Sequence, residues 1–252
     1  MLAYHAPPDL LQDRNILITG AGSGLGRAAA LACAAHGATV LLLGRTEEKL
    51  DATYDAILAA GGKEPALFVL DLQRAGDADY QQLREILATE FGVLHGLLHS
   101  AAANSPALPL EHLDLGTWNQ LLQVNLSASF ALTVACLPLL KLAEHASIVF
   151  TSAREGRQAR AFRGAYAVSK HGVETLMAIF AEELQNTSGV RVNSLDPGPC
   201  ATALRKVVFP SEDPSTLPSP ESLMPLYLYL MGDDSLQQTG KRFAAQEDPA
   251  SA

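Results

Sequence analysis

Short apolar runs alternate with longer amphipathic stretches along most of this chain. The runs fall at 15–19, 39–43, 66–70, 94–99, 147–151 and 190–195. Each carries few polar residues, the pattern of a strand covered on both faces. Between them, apolar residues recur at helical spacing over 46–60, 80–91, 113–140 and 166–185. Strand and helix in alternation predict parallel strands joined by right-handed crossovers. The expected fold is therefore α/β, a doubly wound parallel sheet of the Rossmann type. A proline-rich shift at 209–220 reads as a loop, because an apolar helix at 222–231 and a strand-like segment at 242–244 follow it. The expectation is a single domain over 1–252, with a substrate loop at about 203–224.

Composition narrows the partners. The chain has 252 residues, 48% of them hydrophobic, and a formal net charge of -9. An acidic chain repels phosphate backbones and anionic bilayers, so neither nucleic acid nor membrane is an expected partner. The most apolar stretch, 121–142, is interrupted by Gln123, Asn125, Ser127, Ser129, Thr133, Pro138 and Lys141. That predicts a buried helix rather than a membrane span. Residues 1–13 hold no basic run of the kind a secretory leader needs. Cys33, Cys136 and Cys200 are far apart and have no histidine at ligand spacing. No disulfide framework and no metal site are expected, and a reducing cytoplasm is the natural compartment.

The candidate chemistry starts at the end of the first run. Thr19 is followed by Gly20, Gly22, Gly24 and Gly26, and then by a helical pattern at 27–36. Glycines at that place let the backbone approach a pyrophosphate, and the helix N-terminus supplies free N–H groups. Gly20, Ser23, Gly24, Leu25 and Gly26 are thus candidate cofactor contacts. The second run ends in Gly44 and Arg45, where an NAD site carries an acidic residue for the ribose 2′-hydroxyl. Arg45 either meets the 2′-phosphate of NADP(H) or pairs with Glu47 or Glu48 at the surface. Asp71 and Leu72, after the third run, lie where an adenine is expected. Tyr166 and Lys170 stand four apart and share a helix face. An ammonium beside a phenol stabilises phenolate and pulls its pKa down, which suits proton exchange with an alcohol or carbonyl.

Together the segments TGAGSGLG (19–26), LDL (70–72), VNLSASF (124–130), YAVSK (166–170) and PGPCAT (197–202) resemble the short-chain dehydrogenase/reductase family over nearly the whole length. Details at 9–21, 156–160 and 224–235 resemble an uncharacterised bacterial branch of it. The resemblance implies that Tyr166 is the general acid/base and that Lys170 holds the nicotinamide ribose and lowers the tyrosine pKa. It implies that Asn125 supports a relay water, and that Pro197, Gly198 and Thr202 line the nicotinamide. It also implies Ala101 on the cofactor and a homodimer or homotetramer. The function expected is NADP(H)-dependent hydride transfer between nicotinamide and a small alcohol or carbonyl. The competing reading is an impaired NADP(H)-binding sensor or scaffold.

Two departures keep that competitor open. Family members carry Asn-Ala-Gly where this chain reads Ser100-Ala101-Ala102. Counting back from Tyr166 puts Ala153 at the place of the family's catalytic serine, with Ser152 one residue earlier. In extended chain, neighbours point to opposite faces, so Ser152 takes that place only through a bulge. Arg154, Arg157, Arg160 and Arg163 fall in the same region. They either receive an anionic substrate or form ion pairs with nearby carboxylates.

Overall fold

The computed structural model describes residues 4–246. Positions 1–3 and 247–252, which belong to the stretch read as leaderless and to the expected domain, lie outside the described residues. Among the described residues the strands are β1 (Asn15–Thr19), β2 (Thr39–Gly44), β3 (Ala66–Val69), β4 (Gly96–His99), β5 (Ala146–Thr151), β6 (Val190–Asp196) and β7 (Arg242–Ala244). They form one parallel sheet in the order β3-β2-β1-β4-β5-β6-β7. The helices are α1 (Gly24–Ala35), α2 (Glu47–Ala59), α3 (Asp77–Glu90), α4 (Leu115–Leu122), α5 (Ala128–Leu140), α6 (Gly164–Leu184), α7 (Ala203–Val208) and α8 (Met224–Met231).

Strand alternation divides the core in two. Ile16, Ile18, Val40 and Leu42 face one way, onto the alanine-rich α1 and onto α8. Leu17, Leu41, Leu43 and Leu97 face the other way, where α3, α5 and α6 cover them. Both faces are apolar, which is why the runs show no polar alternation.

The topology positions the site. From β1 the chain winds outward through β2 and β3, then returns to β4 on the other side of β1. The carboxyl ends of β1 and β4 therefore diverge, and open parallel sheets bind ligands in that crevice. Thr19 spans it. Its Oγ1 accepts hydrogen bonds from the N–H groups of Ser100 (3.0 Å) and Ala101 (2.9 Å).

The sequence reading differs from the structure in three places. The segment read as one helix over 113–140 is broken by a π-turn, Gln123–Ser127, between α4 and α5. Helix α3 starts at Asp77, ahead of the apolar periodicity, because the Asp79 carboxylate accepts from the Gly76 N–H at 2.9 Å. The stretch after Ala203 begins as the short helix α7, with the Thr202 hydroxyl accepting from Arg205 N–H at 3.2 Å. The 115–140 segment is the one helical stretch, among the described residues, long and apolar enough to cross a membrane. Here its inner face packs on α3 and the sheet, leaving Phe130 and Val134 exposed.

Candidate active site

A cavity of about 430 Å³ opens over the β1/β4 crevice. Its floor is the glycine turn: Gly20, Ser23, Gly24, Leu25 and Gly26 all line it. The turn is possible only without side chains at two of these positions. Gly20 has φ +69, and a Cβ there would stand 3.0 Å from the Ala101 backbone. A Cβ on Gly26 would run into the Gly20 carbonyl. The β4 loop forms one wall through Ser100 and Ala101 to Asn104, and the Ser100 hydroxyl is buried without a hydrogen-bond partner among the described residues. A long, glycine-floored cleft with an uncommitted hydroxyl fits an extended polar ligand carrying phosphates.

At one end of the cleft Arg45, Asp71 and Leu72 line the wall together with Lys49, which the sequence reading missed. Lys49 lies four residues beyond Arg45 and sits in the first turn of α2. Arg45 precedes the extended N-cap residue Thr46, so no helical spacing links the two, and the available signal was only a second basic residue close after the end of β2. At the other end stand Thr202, Leu204 and Val207. Pro197 and Gly198 do not line the cavity. They form a turn in which Asp196 accepts from Gly198 N–H (2.9 Å) and Gln246 donates to the carbonyls of Pro197 and Pro199, both at 2.7 Å.

Tyr166 and Lys170 also lie outside the cavity lining and are buried beside it. Lys170 Nζ donates to the Thr151 carbonyl at 2.6 Å and lies 5.8 Å from the Tyr166 ring centre. Burial lowers the Lys170 pKa to about 8, against the raising influence of Asp196, Glu174 and Glu155. The expected downward pull on Tyr166 does not dominate. Burial first, then Glu155, holds the phenol above its ordinary value, while Arg163 and Arg205 draw it down. The phenol therefore keeps its proton at neutral pH.

Asn125 sits inside the π-turn and is buried. Its Oδ1 accepts from Ala103 N–H (2.7 Å), and its Nδ2 donates to the Ala103 carbonyl and to Ser169 Oγ, both at 3.0 Å. Ser169 in turn donates to the Tyr166 carbonyl at 2.8 Å. The π-turn thus ties the β4 loop to the helix that carries Tyr166, and such turns concentrate at functional sites.

The backbone past β5 stays extended, with Ala153 at φ -160 and ψ 165. No bulge intervenes. Ala153 packs in a small cluster with Leu121, Ala165 and Tyr166. Ser152 faces the other way: its Oγ is buried without a partner among the described residues, and a Cβ at Gly156 would meet it at 2.8 Å. The position facing Tyr166 therefore holds a methyl group.

Among the described residues, Arg157 and Arg163 of the arginines noted in the sequence sit in ion pairs with glutamates. Arg157 bonds Glu174 at 3.2 Å, and Arg163 bonds Glu155 at 2.9 Å. Arg163 also lies over the Tyr166 ring, 4.8 Å from its centre, and 5.8 Å from the Phe209 ring. Arg205 stacks on the opposite partner, Phe209, at 4.1 Å and is held by Glu212. Among the described residues no cluster of His, Cys, Asp or Glu is grouped to hold a metal.

Residues 14–213 match the family model described as short chain dehydrogenase. The chain is 46% identical over 243 residues to "Uncharacterized oxidoreductase YciK" of Escherichia coli K12, covering 96% of each. It is similar to the 0.95 Å structure of that E. coli oxidoreductase, with TM-score 0.95 and 45% identity over 98% of this chain and 100% of the other. It is also similar to a short-chain dehydrogenase of E. coli CFT073 complexed with NADPH, with TM-score 0.93, 46% identity, and 96% and 100% of the two chains covered.

Proposed function

The chain belongs to the short-chain dehydrogenase family, and from that premise we propose that it is an NADP(H)-dependent oxidoreductase interconverting a small alcohol and a carbonyl. The observation that carries the reading is the glycine-floored cleft with Arg45 and Lys49 at one end and the Tyr166–Lys170 pair beside the other. The similar E. coli CFT073 protein in complex with NADPH supports the choice of cofactor. When bound, NADPH supplies a hydride to a carbonyl carbon.

The chain's own residues do the rest. The N–H groups of the glycine turn and the start of α1 hold the pyrophosphate. Arg45 and Lys49 take the 2′-phosphate, and Asp71 and Leu72 border the adenine. Ala101, Pro197, Gly198 and Thr202 border the nicotinamide half. Tyr166 donates the proton to the substrate oxygen, Lys170 holds the ribose, and Asn125 fixes the β4 loop and supports the proton relay. The segment at about 203–224 forms the substrate loop, and the compartment is a reducing cytoplasm, to which the free, buried Cys33, Cys136 and Cys200 are suited. The methyl group of Ala153 favours the second reading, a non-catalytic NADP(H)-binding sensor or scaffold. We hold the enzyme reading, since the proton donor and its lysine are both in place.

Fluorescence titration tests the cofactor assignment. NADPH is expected to bind more tightly than NADH, and Arg45→Ala to erase most of the difference, about 1.5–3 kcal/mol for a charged hydrogen bond. Equal affinities in the unmodified protein would sink the assignment.

The assembly follows from the exposed apolar residues. Phe130 and Val134 on α5, and Val168 and Ile179 on α6, are exposed. The α5 pair is one turn apart, and a two-fold partner would cover both helices at once. Light scattering is expected to give two or four times the chain mass of 26.7 kDa at micromolar concentration. A mass of one chain would refute it.

A further inference from the structure

A carbonyl that gains a hydride develops negative charge on oxygen, and a donor aimed at that oxygen lowers the barrier. Tyr166 is one such donor. The hydroxyl that ordinarily stands beside it in this fold is absent, because Ala153 faces Tyr166 and Ser152 faces away.

Arg163 precedes Tyr166 by three residues, and its guanidinium lies 4.8 Å from the phenol ring centre. Its side chain is only 9% exposed. Among the described residues its Nε alone is engaged, with Glu155 at 2.9 Å. Its two terminal nitrogens have no hydrogen-bond partner there and are not among the buried atoms left without one, so both stay open to the space beside the phenol. Phe209 covers the group from the substrate loop, at 5.8 Å. This is a paired cation with two open donors, held against the phenol ring.

We propose that Arg163 supplies the hydrogen bond to the reacting substrate oxygen that the missing hydroxyl at Ala153 would otherwise supply. The inference rests on the oxidoreductase reading. The step balances simply. The carbonyl carbon gains the hydride that NADPH would supply, the C=O electron pair moves onto oxygen, and Tyr166 Oη supplies the proton, leaving an alcohol, NADP⁺ and a phenolate that a proton from water restores. Arg163 gives up no proton in the step and donates hydrogen bonds only. The Glu155 partner, 17% exposed, makes the pair neutral. A neutral pair suits a substrate oxygen that becomes charged only in the transition state, better than a substrate that arrives as an anion.

The test compares the unmodified protein with Arg163→Met, Ala153→Ser and the double variant. NADPH oxidation is followed with butane-2,3-dione, with a quinone and with a 2-oxo acid, and NADPH affinity and melting temperature are measured in parallel. Arg163→Met is expected to lower kcat about 10²-fold, as loss of an oxyanion donor does, on neutral and anionic substrates alike. NADPH affinity should stay within about twofold. Ala153→Ser should raise kcat about tenfold more in the Arg163→Met background than in the unmodified protein, because the two donors serve one oxygen. That rescue separates a catalytic role from a merely structural one.

An Arg163→Met protein with undiminished kcat would overturn the inference, as would a loss that Ala153→Ser does not restore. A rise in KM confined to the 2-oxo acid would replace it with anion recognition. If none of these proteins turns over while all bind NADPH, the oxidoreductase reading itself fails and takes this inference with it.

Discussion

Tyr166→Phe is expected to reduce NADPH-dependent carbonyl reduction about 10²–10⁴-fold, the range for loss of a positioned general acid. The phenol is buried, its pKa is held above the ordinary value, and the ring is packed against Ala153, Ala165 and Leu121. It therefore carries its proton at neutral pH and has it ready for a developing alkoxide. Phenylalanine keeps the packing and removes only the hydroxyl, so NADPH affinity should change less than about twofold. Steady-state kinetics on a diketone, with fluorescence titration alongside, checks both parts. Undiminished turnover would show that the proton comes from elsewhere.

Lys170→Met is expected to abolish most activity and, at the same time, to stabilise the free protein. The ammonium is buried, and burial lowers its pKa from 10.5 to about 8. At about 1.36 kcal/mol per pH unit, keeping that charge in the folded state costs roughly 3 kcal/mol at pH 7. Its bond to the Thr151 carbonyl offsets part of this. The net gain expected for methionine is about 1–2 kcal/mol, or about 2–8 °C in Tm for a chain of this size.

The sign of the pH dependence follows from linkage. Between about 8 and 10.5 the unfolded lysine still binds its proton while the folded one has lost it. The unmodified protein thus gains stability relative to the variant as pH rises through that window. Thermal unfolding of both proteins at pH 7 and pH 9.5 reads the difference directly. A variant less stable at pH 7, with a gap that does not change at pH 9.5, would show that the lysine is a net support of the fold.

Much of this molecule was legible before any coordinate. The buried runs carry almost no polar residues, so strands β1, β2, β5 and β6 fall within a residue or so of their expected bounds. The glycine turn was legible because its geometry excludes side chains at Gly20 and Gly26. The π-turn was not. Gln123, Val124, Asn125, Leu126 and Ser127 are ordinary helical residues, and the extra residue is held by Asn125 bonding the backbone of a loop some twenty positions earlier. Counting back from Tyr166 pointed to Ala153, and in the structure Ala153 is extended and packs with Tyr166.

The electrostatics of the Tyr166–Lys170 pair were misjudged for a physical reason. Spacing reveals that a charge is near, but only packing reveals how deeply both groups are buried. The stack of Arg163, Phe209 and Arg205 likewise joins a loop before α6 to one after α7, a contact that no local pattern encodes.

The proposed function requires a hydride to pass from NADPH to a carbonyl on this protein. Incubation of stoichiometric protein with NADPH deuterated at the transferable C4 position, in turn with a diketone, a quinone and an aldehyde, tests it in a single turnover. Mass spectrometry is expected to find deuterium in at least one reduced product, in an amount matching the NADP⁺ formed, and to find none with Tyr166→Phe over the same interval. Saturated NADPH binding with no deuterium in any product would contradict the account and leave the non-catalytic reading in its place.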